Sequence, residues 1–211
     1  MGQIPDLQQA RRRLGLALSC VCNDRWVLGY LRGGWVRPIA ASEVTRRSLQ
    51  GHPLMPLSRR ALFEKRPLVI NSLVEHEQST EGYDWELDWP AVLYAPVGDI
   101  GHRPIGLLTI GCRRDHWYTD QDVAYAHTLG ISLAPMVAAL RGPLSRLNEH
   151  EGEVAHLLSF GLSPQEVARA TRTEETQARK LVESVKRKLQ PVNPDALMFP
   201  IVQIQRRAFR L

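Results

Sequence analysis

Five basic side chains crowd one short stretch. Between Arg179 and Leu189 stand Arg179, Lys180, Lys186, Arg187 and Lys188, against the single acid Glu183. Guanidinium and ammonium groups at that density suit nucleic-acid phosphates, although a solvated helix face has the same composition. Glu174 and Glu175 stand just before them, where carboxylates suit a helix N-terminus but repel phosphate. Elsewhere the chemistry-bearing residues do not assemble. His76, His102, His116 and His127 share no i, i+4 spacing and have no neighbouring pattern that compels a metal. Cys20, Cys22 and Cys112 are an odd set without CxxC spacing; Cys20 and Cys22 read as small core residues, and no chromophore or redox role is expected of Cys112. No nucleophile–base arrangement, phosphate loop or metal constellation is legible, so neither an enzyme nor a cofactor is expected.

The helices that would carry the basic residues announce themselves by their caps. Asn148 is followed three residues later by Glu151, and Val154, Leu157 and Leu158 give one apolar face up to Gly161. Ser163-Pro164-Gln165-Glu166 repeats the device with Pro at the first helical position. Thr173 is the expected cap of a third helix, with Ala178, Leu181, Val182, Val185 and Leu189 on one face. Two short helices and a longer basic one, joined by tight turns, describe a helix-turn-helix.

Upstream, helices are expected over Asp6–Leu14, Ser42–Leu49 and Ser58–Lys65. Strands are expected over Leu16–Val21 and Trp26–Leu31 as a hairpin, then Trp35–Ala40 and Leu68–Leu73. Ala91–Val97 and Pro104–Cys112 form a second hairpin. Thr119 caps a long helix to Arg141, where Gly142-Pro143 ends it and divides residues 1–142 from 143–211. The stretch Tyr83–Trp89 alternates apolar and acidic residues and reads as a half-exposed strand; a flap, or an acidic surface docking the basic helix, is the sharper alternative.

The 211 residues carry 27 Lys+Arg against 22 Asp+Glu, a net +5, with 44% hydrophobic and 23% charged residues. That is ordinary globular composition, long enough for one medium domain or two small ones. Net charge is +2 over residues 1–142 and +3 over 143–211, half the length. No uninterrupted apolar run approaches the ~18–20 residues of a bilayer span. The polar N-terminus lacks a secretory signal's apolar core, so a cytoplasmic chain without a membrane partner is expected.

Two resemblances follow. Trp89-Pro-Ala-Val-Leu-Tyr-Ala-Pro-Val-Gly-Asp, Pro104-Ile-Gly-Leu-Leu-Thr-Ile-Gly and Tyr118-Thr-Asp-Gln-Asp succeed one another as the closing strands and final helix of a GAF sensor domain do. Leu147-Asn-Glu-His-Glu-Gly-Glu-Val, Leu157-Leu-Ser-Phe-Gly-Leu-Ser-Pro-Gln-Glu-Val-Ala and Lys186-Arg-Lys-Leu resemble the LuxR/NarL-type DNA-binding domain. The second resemblance makes Ser163–Ala170 the scaffold helix and Glu174–Leu189 the recognition helix, with a fourth helix beginning at Asn193. It implies double-stranded DNA as partner, through Gln177, Arg179, Lys180, Lys186, Arg187 and Lys188. It also exposes a departure: the family's Leu-Gly-Ile turn is Thr171-Arg172-Thr173 here, a side chain where a left-handed backbone is preferred.

The expected fold class is α+β. It has an N-terminal GAF-like antiparallel sheet with flanking helices and a C-terminal all-α helix-turn-helix domain with an extension. The function implied is a homodimeric transcriptional regulator, with a small-molecule ligand in the GAF-like domain shifting the long helix. The alternative is a protein-interaction module whose irregular helix-turn-helix binds a polymerase, sigma factor or kinase and not DNA.

Overall fold

A computed structural model describes residues 7–21, 23–43, 51–71, 91–99, 101–112 and 118–189. Along these run helix α1 (Leu7–Leu18), strands β1 (Arg25–Arg32), β2 (Trp35–Ala41) and β3 (His52–Pro53), then helix α2 (Pro56–Glu64). Strands β4 (Leu68–Ile70), β5 (Ala91–Val97) and β6 (Gly106–Cys112) follow, then helices α3 (Asp120–Leu144), α4 (Glu149–Ser159), α5 (Pro164–Thr171) and α6 (Glu175–Leu189). The expected helix over Ser42–Leu49, the Tyr83–Trp89 alternation, the fourth helix from Asn193, Cys22, His76 and His116 lie wholly or mainly outside the described residues.

The six strands form one sheet in the order β3-β2-β1-β6-β5-β4, with every neighbouring pair antiparallel. β5 and β6 are buried at every position because the sheet is covered on both faces. On one face Trp26, Leu28, Leu93, Leu108 and Ile110 pack into a core shared with α1 and α3. On the other, Val36, Ile70, Val92, Tyr94 and Leu107 pack against Leu57 and Ala61 of α2. Alternation along each strand therefore separates two apolar sets, not an apolar set from a polar one.

Thr119 caps α3 by accepting from the Asp122 backbone N–H, and Asp122 accepts in return from the Thr119 N–H. Gly130 lets α3 approach the sheet: a Cβ there would lie 2.3 Å from the Pro96 carbonyl oxygen. Among the described residues α3 alone has the length and composition of a membrane span. No Asp, Glu, Lys or Arg occurs from Val123 to Leu140. Ala126, Leu129, Leu133, Val137 and Leu140 are buried within the fold, which makes it a core helix.

Three local expectations are corrected. Leu16–Val21 is not a strand. α1 continues through Leu18, because Leu14, Ala17 and Leu18 are buried at helical spacing while Leu16 is exposed. Cys20 consequently lies exposed in the turn after α1 and is not a core residue, whereas Cys112 is buried. Gly142-Pro143 does not end the long helix, which reaches Leu144 with Ser145 as C-cap. A residue before proline normally avoids helical backbone because its Cβ and N–H crowd the ring; Gly142 has no Cβ. Finally, α6 starts at Glu175, and Thr173 is bonded through its hydroxyl to Thr171 and is not the cap.

Candidate functional site

α4, α5 and α6 pack as a three-helix unit, built from the signals read in the sequence. Asn148 and Glu151 form a reciprocal capping box, as do Ser163 and Glu166. Bonds from the Ser163 backbone N–H and hydroxyl hold the Glu166 carboxyl below its ordinary range. Gly161 follows α4 with φ 82°, the left-handed backbone that a glycine stop supplies. The same conformation recurs after α5 at Arg172, with φ 54° and ψ 41°, so an arginine holds a left-handed backbone that glycine would adopt without strain. Thr171 and Thr173 compensate in part: the Thr171 hydroxyl bonds the Val167 carbonyl, and the Thr173 N–H bonds that of Ala168.

Ala178, Val182, Val185 and Leu189 are the buried stripe of α6. At 3.6 residues per turn, Lys180 and Arg187 stand directly opposite that stripe, with Gln177 and Glu183 beside them. Gln177, Lys180 and Arg187 are exposed. The other three candidate DNA-binding residues are engaged within the chain. Arg179 bonds Glu175 at 2.6 Å, one turn earlier, and this pair holds the Glu175 carboxyl below its usual range. Lys186 pairs with Glu183 at 2.9 Å, an exposed bond that exchanges readily.

Lys188 has a different place. Its ammonium lies 2.6 and 2.5 Å from the two carboxylate oxygens of Glu151, which is only 3% exposed. Ser184 donates to the same carboxylate at 2.7 Å. Burial pushes the Glu151 pKa up, but the bonds from Lys188, the Asn148 N–H and Ser184 together outweigh it and hold the group ionised below its usual range. Lys188 thus fixes α6 to α4 across the unit. Sequence reading could not separate it from Arg187, because its partner lies 37 residues away.

The unit rests on the sheet. The Arg11 guanidinium of α1 lies 3.9 Å from the Phe160 ring centroid, and its Nε and Nη2 donate to the Ala41 and Ser42 carbonyls. Arg32 of β1 donates to the Ser145 carbonyl at 3.0 Å. Four residues join α3 to α4, and side chains of both continue one hydrophobic core. Burial at this junction pushes the His156 pKa down to about 4, with the nearby Arg11 charge adding to it. The sequence reading passed over His156, whose only signal was a histidine between Val154 and Leu158. No group of three or more metal-ligating side chains exists among the described residues.

No family model matches the chain, and no curated protein matches it. Solved structures do. One is a GAF domain/HD domain protein from Geobacter sulfurreducens, 14% identical, covering 66% of this chain and 99% of its own with a TM-score of 0.51. Another is the GAF domain of a two-component sensor histidine kinase from Bacillus halodurans, 19% identical, covering 64% and 95% with a TM-score of 0.51. A third, a type II free methionine-R-sulfoxide reductase from Thermoplasma acidophilum, is 18% identical, covers 63% and 95%, and has a TM-score of 0.50. The sheet with its flanking helices therefore has the GAF-domain fold, as the sequence resemblance implied.

Proposed function

We propose that the chain is a DNA-binding transcriptional regulator, with α5 and α6 as a LuxR-type helix-turn-helix and the GAF-fold unit as its sensor. A sensory or regulatory role accords with the GAF fold. The observation that carries the DNA reading is the outer face of α6, where Gln177, Lys180 and Arg187 point away from the buried stripe of a capped, braced helix. Amide and guanidinium groups there suit base edges, and Lys180 suits phosphate. Arg179 and Lys186 contribute after exchanging their exposed carboxylate partners for phosphate; Lys188 acts only by holding α6 in place.

The chain acts as a homodimer through α3. Ala124, Thr128, Ile131, Pro135, Ala138 and Gly142 lie at four-three spacing on that helix, uncharged and outside the stripe that packs on the sheet. A ligand that shifts α3 would move α4 and with it the separation of two α6 helices, which must match half-sites about one turn apart.

Selection from genomic DNA with the full chain at near-physiological salt tests the reading. Enrichment of a palindromic site, lost in Lys180→Ala/Arg187→Ala, supports it. The second reading, a protein-interaction module, is favoured by Glu174, Glu175 and the engaged Arg179 at the start of α6. Absence of enrichment, with a protein retained specifically by the outer face of α6, would establish that reading instead.

A further inference from the structure

Between the sheet and the C-terminal helices, on the sheet face away from α2, lies a groove of ≈ 950 Å3. Its sheet wall is set by the β1–β2 register, which places Tyr30 opposite Arg37 and Arg32 opposite Trp35. Directly opposed residues of an antiparallel pair project from the same face. Ile39 completes this wall, and Leu144, Leu147 and Gly152 stand across from it. Trp35 is 40% exposed there, although a large apolar ring gains most from being covered. The charges on the walls balance: Arg32 and Arg37 stand against Glu149 and Glu153, with Arg37 and Glu149 3.8 Å apart. A groove with apolar walls and no net charge suits an apolar, uncharged occupant.

The chain carries a segment of that kind, and α6 ends beside the groove. Leu189, the last residue of α6, is buried in the core that also holds Leu144 and Leu147. Lys188 bonds Glu151, whose carboxylate accepts from the N–H of Asn148 on the groove wall. The chain beyond α6 therefore starts at the α3–α4 end of the groove. Leu197 to Gln205 contains Leu197, Met198, Phe199, Ile201, Val202 and Ile204 and no ionisable side chain. Eight steps lead from Leu189 to Leu197, and an extended chain covers at most about 29 Å in eight steps. Two other stretches adjoin the groove, at Leu7 and at Gly51. Residues 1–6 offer only Met1 and Ile4 as large apolar side chains and end in Asp6, and residues 44–50 carry Arg46 and Arg47. Neither matches the groove in both apolar bulk and absence of charge.

We propose that Leu197–Gln205 docks in this groove of its own chain, with its apolar side chains covering Trp35. Docking ties α4 to the sheet by a link separate from the α3–α4 connection. Through the bond between Glu151 and Lys188 the same link bears on α6. The inference does not depend on DNA binding, and its test contains no DNA.

The test uses the full chain with Cys20→Ser and Cys22→Ser, which leaves Cys112 buried. Pairs of cysteines are introduced and treated with dibromobimane, which fluoresces on joining two neighbouring thiols. Gly152→Cys serves the groove, since a Cβ there meets nothing within 4 Å. It is paired in turn with Leu197→Cys, Ile201→Cys and Ile204→Cys. At least one pair is expected to cross-link within one chain about tenfold faster than the same residue paired with Arg146→Cys. Arg146 is exposed at the α3–α4 junction, outside the groove. Ile201→Ser/Ile204→Ser should return the Leu197→Cys cross-link to the Arg146→Cys rate. Thermal melting checks that each variant is folded. Rates no faster than with Arg146→Cys at all three positions would overturn the proposal, as would cross-links formed only between two chains. Faster cross-linking of Gly152→Cys to Ile4→Cys or Leu49→Cys than to any of the three would give the groove to another segment, and overturn it too.

Discussion

Replacing Lys188 by Met removes the cation from a buried carboxylate while keeping most of the side chain's volume. Glu151 then retains only two neutral donors, the Asn148 N–H at 2.9 Å and the Ser184 hydroxyl at 2.7 Å. Stranding one member of a buried pair costs about 3–5 kcal/mol. Lys188 itself is one-third exposed (33%), which places the loss at the lower end, about 3 kcal/mol. At about 2–4 °C per kcal/mol for a chain of this size, Tm falls by about 6–12 °C. The dependence on pH also changes sign. In the native chain the folded pKa of Glu151 lies below its unfolded value, so its stabilisation is complete above about 4.3 and is lost as pH falls through the folded pKa. In Lys188→Met burial acts without the cation and raises the folded pKa above the unfolded one. The penalty is then full at pH 7 and shrinks as pH falls toward 5. Thermal melts at pH 7 and pH 5, with the double variant Glu151→Gln/Lys188→Met alongside, measure both effects. The double variant should lie within about 1 kcal/mol of the native chain, since neutral groups need no counter-ion. A single variant within 2 °C of the native chain at pH 7, or a double variant no better than the single, would refute the buried-brace reasoning.

Arg172→Gly should stabilise the unit by about 1 kcal/mol in urea denaturation by relieving left-handed backbone, whereas Arg172→Val should destabilise it. Gly130→Ala should lower stability by about 2 kcal/mol in the same assay, since the new Cβ meets the Pro96 carbonyl. Helix propensity alone predicts the opposite sign, by about 1 kcal/mol. His156 has a folded pKa of about 4 against 6.5, so its neutral form supports stability above 6.5, and about 3 kcal/mol is lost as pH falls toward 4. His156→Phe should remove that part of the acid dependence, read from Tm between pH 7 and 4.5.

Much of this architecture is written locally. The boxes at Asn148 and Ser163, the Thr119 cap and the Gly161 stop depend on residues within a turn of one another, and each is found where its sequence places it. The β5–β6 hairpin is equally local. Errors arise where the deciding contact is distant or the composition is ambiguous. Leu14–Val21 is an apolar run, and periodicity assigns it to helix only once α3 is seen beside it, where Tyr125 donates to the Ala17 carbonyl. The candidate site divides in the same way. The buried stripe of α6 follows from spacing, and so do Lys180 and Arg187 opposite it. The bond between Lys188 and Glu151, and the pairing of Tyr30 with Arg37, depend on tertiary structure that no short window encodes.

DNA binding by the outer face of α6 is the central claim, and its salt dependence tests it most directly. Fluorescence anisotropy of the native chain on the selected duplex across a salt series should give a steep linear fall of log affinity against log salt. Lys180→Ala/Arg187→Ala should bind more weakly, with a slope shallower by about one, for the phosphate that Lys180 no longer neutralises. Equal affinity and equal slope for the two proteins would contradict the account.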